Sequence, residues 1–173
     1  PVSLLVLTGL LLLLPLTLTT ADDTMILIDD RQSGDLQSAL GIQWRLITDG
    51  VMGGVSRGTL GTGQREGRNC LHLQGEVSLE NSGGFIQAAL QLAPSGVLDA
   101  SGYTGVELEV YGNGESYNVH FKTSRVWLPW QHYRASFIAE PGWHTVQVPF
   151  TAFAGYRIGA AFDPARLERI VAR

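Results

Sequence analysis

Two short runs decide the fold class: Gly105-Val106-Glu107-Leu108-Glu109-Val110 and Val119-His120-Phe121-Lys122, separated by the turn signal Gly112-Asn113-Gly114. In the first, Val106, Leu108 and Val110 alternate with Glu107 and Glu109. In the second, Val119 and Phe121 alternate with His120 and Lys122. Period-two alternation places apolar side chains on one face and polar ones on the other, the pattern of a half-buried β-strand. Leu71 and Leu73 repeat it around His72, and Val146 and Val148 repeat it around Gln147. Further turn signals fall between the runs, at Gly53-Gly54, Gly61-Thr62-Gly63, Asn81-Ser82-Gly83-Gly84 and Pro141-Gly142. Helix signals are few. Ser33–Leu40 reads as one short turn capped by Asp35, and Asp163-Pro164-Ala165-Arg166 as a capped helical turn with Pro at its first position. The body, residues 22–173, is therefore expected to be one all-β domain, a β-sandwich or jelly roll.

Composition agrees and excludes several function classes. Of 173 residues, 21 are glycine and only 16% are charged, with a net charge of −4. An acidic balance argues against nucleic-acid binding through a basic face. One cysteine, Cys70, rules out an internal disulfide framework and a multi-Cys metal site.

The ends carry separate signals. Residues 1–21 are uncharged and Leu-rich, with Pro15 followed by Thr19-Thr20-Ala21, which reads as a secretory signal peptide cleaved before Asp22. The alternative is an uncleaved membrane anchor, since about 20 apolar residues span a bilayer; a third reading starts a cytoplasmic protein at Met25. The expected location is thus secreted or periplasmic, or membrane-anchored through this segment alone. At the other end, Leu167-Glu168-Arg169-Ile170-Val171 reads as a strand just beginning, which predicts missing closing strands and an unpaired edge.

No catalytic constellation emerges. His72, His120, His132 and His144 do not fall at ligand spacings, and His72 and His120 occupy polar faces of predicted strands, where a solvated imidazole is ordinary. Asp29-Asp30, Asp49 and Asp99 are conceivable calcium donors, without EF-hand spacing. Ser56, in Gly54-Val55-Ser56-Arg57-Gly58, misses the nucleophile elbow G-x-S-x-G. Asp49–Ser56 is glycine-rich but lacks the P-loop Lys. Cys70 opens a strand and reads as an inert core thiol. Glu107 with Glu109, and Glu76 with Glu80, read as solvated strand faces. No metal and no cofactor are expected. Val126-Trp127-Leu128-Pro129-Trp130-Gln131-His132-Tyr133 concentrates aromatic residues around a Leu-Pro break, hence a loop. It has two readings: Trp127 and Trp130 folded back into the core, or, with His132 and Tyr133, exposed for stacking on a sugar or filling a partner's pocket.

Taken together, Trp44, the block Thr48-Asp49-Gly50-Val51-Met52-Gly53-Gly54-Val55-Ser56 and the block Gly75–Phe85 with Glu80-Asn81-Ser82-Gly83-Gly84-Phe85 resemble the complex I intermediate-associated protein 30 family. Tyr133-Arg134-Ala135-Ser136-Phe137 and Gly142-Trp143-His144-Thr145-Val146-Gln147-Val148-Pro149-Phe150 fit as well, so the resemblance spans residues 26–170. It implies a galactose-binding-like jelly-roll β-sandwich and, in mitochondrial members, a non-catalytic role as assembly factor or chaperone for respiratory NADH:ubiquinone oxidoreductase. Protein partners would then be respiratory-complex subunits. Asp49, Gly50, Gly53, Gly54 and Ser56 match the first motif, and Asn81, Gly83, Gly84 and Phe85 the second, as structural positions. Three features depart from the family pattern. Further strand sequence is expected beyond Val171, the apolar N-terminus points to a bacterial envelope protein, and the Trp127–Trp130 stretch is particular to this chain. The last feature supports an alternative role as a secreted carbohydrate-binding module using Trp127, Trp130 and Tyr133.

Overall fold

The computed structural model describes residues 25–128 and 130–173; the apolar segment 1–21 lies outside the described residues. Ten strands follow in order: β1 (Arg45–Thr48), β2 (Arg57–Arg65), β3 (Arg68–Glu76), β4 (Ile86–Gln91), β5 (Gly105–Gly112), β6 (Glu115–Thr123), β7 (His132–Ala139), β8 (Gly142–Pro149), β9 (Ala154–Tyr156) and β10 (Leu167–Ala172). Among the described residues helix is confined to single 3-10 turns, and none is long and apolar enough to cross a membrane. The turn expected at Asp163 forms, with the Asp163 side chain accepting from Ala165 N–H and Pro164 at the first position. Ser33–Leu40 does not become helical. Asp35 accepts instead from Gln37 N–H at 2.7 Å, closing an Asx turn that hands the chain to a Gln37–Gln43 bridge.

All strand pairing is antiparallel. One layer is a six-stranded sheet in the order β1-β4-β10-β6-β7-β9; the pairs β2-β3 and β5-β8 make up the rest. The two alternating runs that announced the fold are adjacent in sequence but do not pair. The Gly112–Gly114 turn carries the chain from β5, paired with β8, to β6, which lies between β10 and β7. β10 also departs from expectation. It is flanked by β4 and β6, so its backbone groups are used on both sides and the predicted unpaired edge does not occur there.

Register sorts the large sheet's side chains into two faces. Leu90, Ile170, Phe121 and Tyr133 form one cross-strand row through β4, β10, β6 and β7, and all four are buried in the core. Val106 with Val148 and Leu108 with Val146, paired across β5 and β8, meet them from the other layer. Phe121 touches Phe150, Phe153 and Phe162, with ring centroids 5.0–6.2 Å apart. Full burial of each such side chain contributes about 1.5–3 kcal/mol. The adjacent row, Arg45, Ala89, Val171, His120, Arg134 and Ala154, runs across all six strands on the opposite, outward face.

Candidate functional site

The two family-like glycine blocks meet at one carboxylate. Thr48 ends β1, its hydroxyl accepting from Gly50 N–H, and a 3-10 turn over Asp49–Met52 closes on Gly53 at φ 87°. That turn carries Asp49 inward until it is fully buried. One Asp49 oxygen accepts from Ser56 N–H (3.0 Å). The other accepts from the Ser56 hydroxyl, Gly84 N–H (2.6 Å) and Phe85 N–H (3.3 Å). Ser56 Oγ in turn receives Ser78 N–H at 3.0 Å. Burial works against the charged form, yet the hydrogen bonds from Ser56, Gly84 and Phe85 outweigh it and hold the Asp49 carboxyl below its usual range.

This explains the motif residue by residue. A Cβ on Gly54 would lie 2.3 Å from Asp49 Cγ, and one on Gly83 would lie 2.5 Å from Asp49 Oδ2. Asn81 sits in the left-handed region at φ 54°, which Asn tolerates well. Gly84 takes φ 135° to aim its N–H at the carboxylate. Phe85 lies under the Arg173 guanidinium at 5.0 Å, and Arg173 donates to Gly84 O at 2.9 Å. The node is structural, since every donor in it is a group of the chain itself. Asp49 is therefore not a calcium donor, and Ser56 is a hydrogen-bonding strut whose hydroxyl is committed to Asp49 and Ser78. The other proposed calcium donors are also engaged: Asp29 holds Arg31 and Trp44 Nε1, and Asp99 accepts from Ser101 N–H.

What the node presents outward went unread in the sequence. The two loops it clamps leave Val51, Met52, Val55, Val77 and Leu79 exposed, Val51 at 70% and Leu79 at 81%. A run of apolar residues beside glycines looks like core in sequence. Here the glycines are consumed by Asp49 and the apolar side chains face water.

At the opposite end of the sheet, the β6–β7 loop resolves the two aromatic readings. Trp127 is 90% exposed and Trp130 43%, so neither is folded into the core. Tyr133 is a correction: it is 1% exposed, its ring edge-on to Phe162 and its hydroxyl donating to Ala161 O, and it offers no stacking surface. Alternation from Tyr133 turns His132 to the outward face. Its Nδ1–H donates to Trp130 O at 2.9 Å, and its Nε2 is buried without a partner.

His120 is a second correction. It lies outward as expected but is 5% exposed. Its ring stacks on His132 at 4.1 Å, and His132 stacks on Tyr156 at 5.0 Å, a column across β6, β7 and β9. Arg134 and Arg157 lie over Tyr156 at 5.1 and 5.5 Å. Burial, followed by repulsion from His132, Arg173, Arg134 and Lys122, pushes His120 down to about 3. Burial also pushes His132 down to about 4, against a raising bond to Trp130 and with further lowering by Arg134, Arg173 and Lys122. Both imidazoles are neutral at pH 7. Among the described residues no three His, Cys, Asp or Glu side chains gather to hold a metal ion. Glu107 and Glu109 are tied across the β5–β8 pair to Gln147 and Thr145, and Cys70 is half-buried in β3.

Two outcomes follow from this geometry. Gly54→Ala forces a methyl into the Asp49 carboxylate and is expected to cost about 1–3 kcal/mol in urea unfolding. Gly61→Ala, with nothing within 4 Å of its Cβ, is expected to stay near parental stability. The imidazole pair gives a pH signature. The unfolded chain takes up protons on both His below about 6.5, whereas the fold resists until about 4 and about 3. Their contribution is therefore complete above about pH 6.5 and is lost as pH falls toward 3. The Tm of His132→Gln should fall less steeply between pH 7 and pH 4 than the parent's; equal slopes would contradict the neutral pair.

Comparison with known proteins places this geometry. Solved structures with the same fold include the family 11 carbohydrate-binding module from Clostridium thermocellum in complex with a beta-1,3-1,4-mixed-linked tetrasaccharide. It is 14% identical, with a TM-score of 0.57 over 75% of this chain and 77% of that one. The family 11 module of a cellulosomal cellulase of the same organism is also 14% identical, with a TM-score of 0.58 over 78% and 85%. No curated protein matches in sequence. Residues 27–170 match Complex I intermediate-associated protein 30, and they include the Asp49 node and both blocks that build it. The chain belongs to the complex I intermediate-associated protein 30 family.

Proposed function

We propose that the chain is a non-catalytic binding domain of the assembly-factor type, holding an apolar segment of a respiratory complex I subunit against the loops that the Asp49 node clamps. The carrying observation is the pairing of a rigid support with an exposed apolar surface. Asp49 and Ser56 lock the β1–β2 and β3–β4 loops together, and those loops hold Val51, Met52, Val55, Val77 and Leu79 in water. Exposed apolar side chains on a preorganised support are what a protein interface requires, and the family name supplies the partner class. Val51→Asp and Leu79→Asp replace exposed groups, so Tm should stay within a few degrees. Capture of complex I subunits by the tagged protein in mild detergent should drop at least tenfold. Unchanged capture by both variants would remove this surface from the interaction.

A second reading is favoured by a different observation. Trp127 and Trp130 stand exposed on a loop at the far end of the sheet, and the fold is shared with carbohydrate-binding modules, one of them in complex with a tetrasaccharide. In this reading the indoles stack on sugar rings. Trp127→Ala should then abolish retardation in glycan-containing native gels without moving Tm. Retention of both would leave the indoles without this role.

A further inference from the structure

Of the five apolar side chains that the Asp49-clamped loops hold in water, Val51, Val55, Val77 and Leu79 are hydrocarbon, and Met52 alone carries an oxidisable atom. Its turn is fixed from both sides. Thr48 Oγ1 accepts from Gly50 N–H, and Gly53 N–H reaches Gly50 O at 3.2 Å. Gly54 N–H reaches Asp49 O at 3.0 Å, and Asp49 N–H reaches Phe85 O at 3.1 Å. Met52 ends this 3-10 turn, directly after Val51, and is 44% exposed. A thioether is flexible and polarizable, and it ordinarily fills gaps in a core or adapts to a partner. Held in water on a fixed turn, this one is open both to a partner and to a dissolved oxidant.

From this placement we infer that Met52 is a reversible oxidation site whose conversion to the sulfoxide releases the partner. The inference rests on the assembly-type reading above and adds the regulation of that same surface. The reaction balances with a peroxide as oxidant. The thioether sulfur attacks one peroxide oxygen, the O–O bond breaks, an S–O bond forms, and the other oxygen leaves as water. Sulfur loses two electrons and the peroxide gains them. The product is polar and chiral where an apolar group stood. Against an apolar partner segment its S–O dipole is buried without a hydrogen-bond donor, which disfavours the complex. Sulfoxide reductases reverse the step.

The fold separates this surface change from the frame beneath it. The groups that lock the two loops are the Asp49 carboxylate, the Ser56 hydroxyl and the backbone N–H groups of Ser56, Ser78, Gly84 and Phe85. Dilute peroxide attacks none of them, so the support keeps its shape while one side chain upon it changes polarity. The chain's other sulfur atoms belong to Met25 and Cys70. Cys70 is half-buried in β3, its Sγ 3.6 Å from Gly63 O. Met25 is 77% exposed and lies outside both clamped loops. It supplies an internal reference, an accessible thioether away from the surface assigned to the partner.

The test treats the tagged full chain with dilute hydrogen peroxide and assigns added oxygen among Met25, Met52 and Cys70 by peptide mass mapping. Capture of complex I subunits in mild detergent is then repeated. Met52 should oxidise under conditions that convert Met25, with Tm unchanged. Capture should fall about tenfold, the order expected for one unpaired polar group in an interface. Measured against each variant's own untreated capture, this loss should vanish in Met52→Leu and persist in Met25→Leu. Sulfoxide reductase treatment should restore capture by the parent, and no recovery once the sulfoxide is gone would overturn the inference. If Met52 resists peroxide that converts Met25, or capture survives full conversion at Met52, the inference is overturned and the assembly reading stands. An equal loss in oxidised Met52→Leu, or a loss accompanied by a fall in Tm, would trace the effect to another group or to unfolding and would overturn it as well. Failure of the untreated parent to capture any complex I subunit overturns the assembly reading itself, and this inference with it.

Discussion

A single buried carboxylate organises one end of the molecule. Asp49 leaves β1 in a 3-10 turn and is enclosed by Ser56 from its own loop and by Gly84 and Phe85 from the β3–β4 loop. A buried charge survives only when its hydrogen-bonding capacity is met, so the two loops cannot separate without leaving it exposed to a large desolvation penalty. The constraint then spreads outward. Gly54 and Gly83 must be glycine because the carboxylate occupies the space of their Cβ atoms, and Gly84 because its N–H points from a conformation other residues avoid. Arg173 reaches from the end of β10 to Gly84 and Phe85, which couples the node to the centre of the six-stranded sheet. The exposed Val51 and Leu79 are held in place by groups that lie several residues away in sequence.

How much of this was legible in the sequence depends on which face of the chain the physics acts on. Strands were readable at Val106–Val110 and Val119–Lys122 because one face meets the core and the other was polar. Their partners were not. The Gly112–Gly114 turn has the composition of a hairpin but changes sheets, and β5 finds β8 only after β6 and β7 have intervened. The glycine blocks were recognisable as motifs, yet their centre was obscured, since neither block contains both the carboxylate and all its donors. Ser56 invited comparison with a nucleophile, and its strut role appears only when Ser78 is placed beside it. Tyr133 was grouped with Trp127 and Trp130 by adjacency. Alternation within β7, counted back from Ala135 in the core, would have turned Tyr133 inward and His132 outward.

The outward sheet face shows the limit of alternation itself. The rule assumes that the polar face of an antiparallel sheet meets water. Here Ala89, Val171 and His120 face outward and are 4%, 3% and 5% exposed. Long cationic side chains can cover apolar floor while their heads stay wet, and Lys122, Arg134 and Arg173 are the charged neighbours that depress both imidazoles. His120 thus reads as solvated in sequence and is desolvated in the fold, because the ring stacked on it, His132, comes from the neighbouring strand β7 and not from its own.

That cover has an energetic consequence. Arg134 against Arg173 and Lys122 against Arg169 are like-charge neighbours, while the acidic residues that make the chain net negative lie largely elsewhere, Glu107 and Glu109 on the β5–β8 pair among them. These like-charge contacts are offset in part by Asp49, which acts on Arg173, and by Glu168, which acts on Lys122. Natural folds break local rules of this kind chiefly at functional positions. The opposite end of the sheet follows the other logic, with a carboxylate satisfied completely and apolar groups left in water. One end thus holds apolar surface rigidly, and the outward face gathers cations around a desolvated floor.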